Sequence, residues 1–156
     1  TNRPSNCHSP GVLFMPTTRL RLTVVALFME GDEVLLLHQI TPPEPNCWDL
    51  PGGGLEPEED LISGLGREVA EETGIQDFRV EGLLTVVEGF YPEAQGQLHT
   101  VNLVYRCRVT PKPQSFNPTD QGEIGPGGIR WWRISDLSAA ACSTRAWAAL
   151  KAAGQV

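Results

Sequence analysis

Gly53 is followed after five residues by Glu59, after seven more by Arg67 and Glu68, and then by Val69, Glu71, Glu72, Gly74 and Ile75. The pattern is G-x5-E-x7-R-E-U-x-E-E-x-G-U, with U aliphatic. Gly and Glu are each about one residue in fifteen of ordinary protein, so a chance match is on the order of 10⁻⁷. On a helix Glu68 and Glu72 stand one above the other, because residues four apart share a face. Carboxylates so placed repel each other, and a cation turns the repulsion into binding; hard oxygen ligands suit Mg²⁺ or Mn²⁺. Glu71, three residues from Glu68 and four from Arg67, is either a third ligand or an ion-pair partner of Arg67. Gly53 and Gly54 supply unusual backbone angles or a close approach. A cation held beside such a turn can in turn hold a phosphate chain.

The elements around these residues follow from local signals. Pro57 suits the first position of a helix, Glu58, Glu59 and Asp60 favour its first turn, and Gly74 suits a left-handed end, so a helix is expected over 57–73. Leu61, Ile62, Leu65 and Val69 cluster on one face of it, and Glu68, Glu71 and Glu72 occupy an adjoining arc. Gly64 and Gly66 oppose the helix; Gly64 either leaves room for substrate or reflects close packing. Before the helix, 20–28 and 33–39 read as strands of a hairpin around Glu30-Gly31-Asp32, and 41–46 as a proline-rich loop. After it, 78–90 and 97–109 read as strands joined by 91–95. Residues 111–128 read as a long loop, 129–134 as a short strand, and 144–152 as a last helix capped by Ser143. Strands on both sides of a central helix, with a terminal helix, imply an α/β fold with a mixed sheet between helices. Residues 1–18 are expected to be an irregular arm, and 19–156 a single domain.

The whole chain limits the function classes. Its 156 residues fit one compact domain, with 40% hydrophobic and 20% charged residues. No apolar run approaches the roughly 20 residues of a membrane span, and no secretory leader pattern is visible. Cys7, Cys47, Cys107 and Cys142 are scattered and show no C-x-x-C pair, so free thiols in a reducing, cytoplasmic compartment are expected. A net charge of −7 repels nucleic-acid backbones, which argues against bulk nucleic-acid binding. The same charge makes a bound cation a requirement for holding a polyphosphate.

The pattern from Gly53 to Ile75 resembles the Nudix box, the signature of the Nudix (MutT-like) hydrolase superfamily. Trp48-Asp49-Leu50-Pro51-Gly52 looks like the lead-in to such a box, and Trp131 with Asp136-Leu137 like its exit. The resemblance implies the same α/β/α sandwich. It implies Glu68 and Glu72 as central metal ligands, Glu71 as a further or water-mediated one, and the Gly52 or Gly53 carbonyl completing the coordination. Glu59 and Arg67 would form a structural pair that steadies the catalytic loop. The cofactor implied is Mg²⁺, with Mn²⁺ as a substitute.

The implied reaction is hydrolysis of the diphosphate linkage in a nucleoside diphosphate joined to another group: a nucleoside triphosphate, a nucleotide sugar or ADP-ribose. Water attacks phosphorus while the metal neutralises the developing charge. The base is Glu68 itself or a glutamate from a later loop, Glu123 ahead of Trp131 or its rival Glu93. Arg21 either reaches phosphate from the first strand or faces solvent. Trp48 either stacks a base or sits in the core or rim. His99 resembles a strand residue of some nucleotide-cleaving relatives, or is structural. His38-Gln39 stands where relatives often carry an arginine. Partners are a small nucleotide substrate, no bulk nucleic acid and no membrane, with a homodimer left open. The alternatives are a non-catalytic nucleotide sensor on the same scaffold and an isomerase of isoprenoid diphosphates.

Overall fold

A computed structural model describes residues 16–119, 122 and 124–156. Most of the expected arm, as well as Cys7 and Glu123, therefore lies outside the described residues. Strands β1 (Thr17–Glu30) and β2 (Glu33–Gln39) meet as a hairpin only at their tip, through Met29↔Val34 and Glu30↔Glu33. Gly31 at φ 59° makes the turn. Below the tip the two strands part. β1 takes β4 (Gly52–Gly54) as antiparallel neighbour on one side and β6 (Gly96–Arg108) as parallel neighbour on the other. β2 pairs with β3 (Cys47–Asp49) and with β7 (Ile124–Arg133), and β5 (Arg79–Glu93) closes the far side of β6. The seven strands form one mixed sheet.

Why this is a sandwich is visible in β1. Val24, Ala26 and Phe28 pack on the side of α1 (Leu61–Thr73) with Leu65 and Val69. Val25 and Leu27 pack on the side of α2 (Thr144–Ala152) with Ala146, Ala149 and Leu150. A strand covered on both faces must be apolar without alternation, as the run Val24–Phe28 is. The expected α/β/α arrangement with a mixed sheet is thus the one found.

Three local expectations are corrected. The helix begins at Leu61, four residues later than expected. Asp60 accepts the Ser63 N–H at 2.8 Å as N-cap, and Glu58 adopts φ 65°, which a helix does not tolerate. Leu61 and Ile62 therefore stay exposed, while Leu65 and Val69 are buried. The connection between β5 and β6 shrinks to Ala94 and Gln95, because Tyr91–Glu93 pair with Gly96–Leu98. Finally, Gly125-Pro126-Gly127-Gly128 belongs to β7 and not to a loop. Gln39 pairs with Ile124 and Leu37 with Ile129, so these residues form a bulge against β2. A side chain on Gly125 would meet the His38 ring, which explains why the bulge is so rich in glycine. Ser143 caps α2 as expected, accepting from Ala146 N–H at 3.2 Å.

Candidate active site

The glycine turn is built on the sheet edge. Gly54, Gly53 and Gly52 lie opposite Thr23, Val24 and Val25, and a side chain on Gly52 would collide with the Val24 carbonyl. A Cβ on Gly53 would stand 2.5 Å from Glu68 Oε2, so the bare backbone makes room for that carboxylate. Gly64 is explained by packing: its Cβ would lie 2.7 Å from Leu55 Cδ1 and 2.8 Å from Glu59 Oε1. Across the turn, α1 presents Glu68, Glu71 and Glu72. Turn and helix form one end of a cleft of about 310 Å³, which Arg21, Asp49, Asn102 and Arg145 also line.

The acidic groups carry an uncompensated cost. Burial pushes Glu72 up to about 8, against the opposing hydrogen bond from Gly52 N–H at 3.0 Å and the attraction of Arg145; Glu68 and Asp49 push it further up. Burial also raises Glu68, opposed by its hydrogen bond to Arg67 and by the charges of Arg67 and Arg21. A carboxylate that burial drives toward its neutral form is one that a cation would restore.

Arg67 is shared by two of the carboxylates. Its guanidinium donates to Glu68 at 3.0 Å and lies 3.3 Å from Glu71. Among the described residues, no three His, Cys, Asp or Glu side chains are gathered as a preformed metal site. The donors nonetheless fit a hard divalent cation: carboxylate oxygens from Glu68, Glu71 and Glu72, beside a Gly52–Gly53 backbone shaped around Glu68.

Glu59 and Arg67 are joined as well. Two turns of helix would have kept them apart, but Glu59 precedes the cap and lies in the loop. Arg67 therefore meets it with two bonds, Nε to Oε2 at 2.7 Å and Nη2 to Oε1 at 2.9 Å. Arg67 also donates to the Gly54 carbonyl at 3.2 Å, and Glu59 accepts the Glu56 N–H at 3.1 Å. One guanidinium thus ties the helix to both ends of the 54–59 loop. The hydrogen bonds from Arg67 hold Glu59 down to about 2.

Residues 18–151 match the NUDIX domain. The chain belongs to the Nudix family. Its curated relatives include the m7GpppN-mRNA hydrolase NUDT17 of Bos taurus, 39% identical over 72 residues, which cover 44% of this chain and 24% of that protein. Another is the diphosphoinositol polyphosphate phosphohydrolase NUDT4B of Homo sapiens, 34% identical over 107 residues, 69% of this chain and 53% of that protein. The chain thus spans about a quarter to about half of these relatives. Among solved structures, the MutT NUDIX hydrolase from Burkholderia pseudomallei superposes with a TM-score of 0.69 at 25% identity, over 85% of this chain and 97% of that one.

Outside the Nudix box the site holds residues that sequence reasoning missed. Arg145 of α2 reaches the cleft floor and grips Asp49 with two bonds, Nε to Oδ1 at 2.9 Å and Nη2 to Oδ2 at 2.8 Å. Its Nη1 donates to Asn102 Oδ1 at 3.0 Å and Thr23 Oγ1 at 3.3 Å. Asp49 also accepts from Ser143 Oγ at 2.6 Å and the Leu50 N–H at 2.8 Å. Burial of Asp49 favours its neutral form, yet the Arg145 charge and these hydrogen bonds win and hold its carboxyl below the usual range. The one sequence signal was Asp49 in the lead-in; nothing linked it to a residue 96 positions on.

The remaining candidates divide. Arg21 lines the cleft beside Gly54 and has no hydrogen bond or ion pair among the described residues. Trp48 does not line it; the ring stacks on His38 at 5.4 Å and meets Trp132 edge-on at 5.0 Å. That is the core-or-rim position. His99 is also outside the lining, stacked on Phe90 at 4.3 Å with Nε2 2.8 Å from Glu88 Oε2. Glu93 sits at the far hairpin end, paired with Arg19 at 2.6 Å. Gln39 does line the cleft, whereas His38 accepts the Gly127 N–H at 3.0 Å.

Proposed function

We propose that this chain is a Mg²⁺-dependent hydrolase of the diphosphate linkage in a nucleoside diphosphate joined to another group, within the class of nucleoside triphosphates, nucleotide sugars and ADP-ribose. The observation that supports it best is the pair of partly buried carboxylates, Glu68 and Glu72, set against a glycine backbone in a cleft that Arg21, whose side chain makes no hydrogen bond or ion pair among the described residues, also lines.

Glu68, Glu72, Glu71 and the Gly52 or Gly53 carbonyl would hold Mg²⁺. The bound ion supplies positive charge that neutralises the diphosphate and the charge developing on it during attack. Arg21 reaches the phosphates from β1. Glu68 takes the proton of the attacking water, with Glu123 as the alternative acceptor. Arg67 and Glu59 keep the 54–59 loop fixed on α1, so that the glycine carbonyls do not drift from the carboxylates. The three described cysteines, Cys47, Cys107 and Cys142, are free and buried, which suits a cytoplasmic setting.

The test is a Mg²⁺-dependent screen over nucleoside triphosphates, ADP-ribose, nucleotide sugars and dinucleoside polyphosphates. Turnover of one class that EDTA abolishes is the expected result. Binding without any cleavage, equal with and without Mg²⁺, would instead identify a sensor.

A further inference from the structure

Helix α1 covers only part of its side of the sheet. Three rows of paired residues cross β1, β6 and β5: Val24, Leu103 and Val86; Leu22, Val101 and Glu88; Leu20, His99 and Phe90. Residues paired across strands share a face, and residues two apart along a strand do too, so all three rows lie on the face that Val24 turns to α1. Val24 is fully buried with Leu65 and Val69, and Leu103 packs against the same cluster. Beyond them the face lies open. Leu20 is 66% exposed and Phe90 58%, and Leu22 and Val86 are exposed as well. Leu83, which pairs with Tyr105 on this face, is 55% exposed. On the reverse side the same strands carry Arg21, Thr23, Val87, Thr100 and Asn102 to the cleft. A single layer of sheet therefore separates the cleft from the open apolar face.

We propose that a second copy of this chain docks here, laying the same face against it, with Leu20, Leu22, Val86 and Phe90 of each copy at the centre of the contact. Charge selects the occupant. The chain carries a net charge of −7, so two copies repel wherever their acidic surfaces meet. In the three rows the only ionisable side chains are Glu88 and His99, and they hold each other at 2.8 Å. Two copies can therefore approach through this face, whereas a strongly basic or acidic partner would find no cluster of opposite charge on it. Shape selects the same occupant. An apolar sheet face matches its own copy turned about a two-fold axis, and two sheets pack face to face with their side chains interdigitated. The open edge agrees. Among the described residues β5 pairs with β6 alone, and an edge strand that also shows Leu83, Val86 and Phe90 to water is an aggregation hazard unless something covers it. The second copy would supply the missing layer beneath the cleft floor. The interface is independent of the reaction proposed above.

The experiment is sedimentation equilibrium of the full chain up to about 100 μM, a range that detects dimers with micromolar dissociation constants. The native chain is expected to reach twice the chain mass. Leu20→Glu and Phe90→Glu bring like charges together across the two-fold axis, and each is expected to raise the dissociation constant by about 100-fold or more. Val156→Glu, an exposed apolar position beyond α2 and outside the three rows, is expected to leave it unchanged. Circular dichroism checks that each variant is folded. Should the glutamate variants unfold, Leu20→Thr keeps a strand-forming residue and is expected to weaken the dimer by about tenfold. A native chain that stays monomeric throughout would overturn the inference and leave the face to a different occupant. A dimer that the folded Leu20 and Phe90 variants retain at native strength, or that Val156→Glu disrupts equally, would overturn it too.

Discussion

Gly53 stands flush against Glu68: a methyl group on its Cα would lie 2.5 Å from Oε2 and 2.9 Å from Oε1. The backbone of the turn and the central carboxylate of the box therefore share one space. Gly53→Ala is expected to push the Glu68 side chain out of position and lower kcat/KM by about 100-fold. Because the displaced group is the flexible end of a side chain, the Tm should move by no more than a few degrees. Steady-state kinetics beside a thermal melt checks both halves.

Glu72 makes the metal-free protein sensitive to pH in an unusual direction. Its folded-state pKa of about 8 lies above the ordinary 4.5, so the folded form holds the proton more tightly. The stability from that proton is fully present below the ordinary value and is lost as pH rises through the folded one. In EDTA, the Tm of the native protein should fall relative to that of Glu72→Gln between pH 5 and pH 8.5. Mg²⁺ should reverse the fall, because the ion binds the deprotonated folded form. A thermal-melt series across pH for both proteins reads this directly.

Arg67 bridges Glu59 and the Gly54 carbonyl, so its fork shape matters as well as its charge. Arg67→Lys keeps the charge and loses the fork. The 54–59 amides are expected to exchange with deuterium faster, and kcat to fall by about tenfold or more. Hydrogen exchange followed by mass spectrometry measures the first, and single-turnover kinetics the second.

Asp49 and Arg145 form a buried pair whose partners depend on each other. Asp49→Ala strands a guanidinium in the protein, which typically costs about 3–5 kcal/mol. Denaturant unfolding of Asp49→Ala should show a loss of that order, whereas Glu88→Gln, at a solvent-exposed position, should show almost none.

The carboxylates were legible in the sequence because helical spacing alone puts Glu68 and Glu72 on one face. Both long strand segments and the capped last helix were legible through their β-branched runs and Ser143. Glu59 was misplaced because Pro57-Glu58-Glu59 reads as a helix start, whereas the cap falls to Asp60 through its bond to Ser63. Gly125–Gly128 read as loop because glycine and proline usually punctuate; here they let β7 bulge over His38. Arg145 was invisible for a different reason. Its partners Thr23, Asp49 and Asn102 come from three different strands or strand ends, and only the folded sheet brings them to one helix. The proposed metal ligands are thus written in local spacing, while the Asp49–Arg145 contact across the cleft is written in long-range contacts.

The most direct test of the central claim is the release of product from the preferred diphosphate substrate, with Mg²⁺ and with EDTA, by the native chain, Glu68→Gln and Glu72→Gln. The predicted result is turnover that requires Mg²⁺ and falls by about 100-fold or more in each variant. Turnover that survives EDTA, or that either variant retains in full, would contradict it.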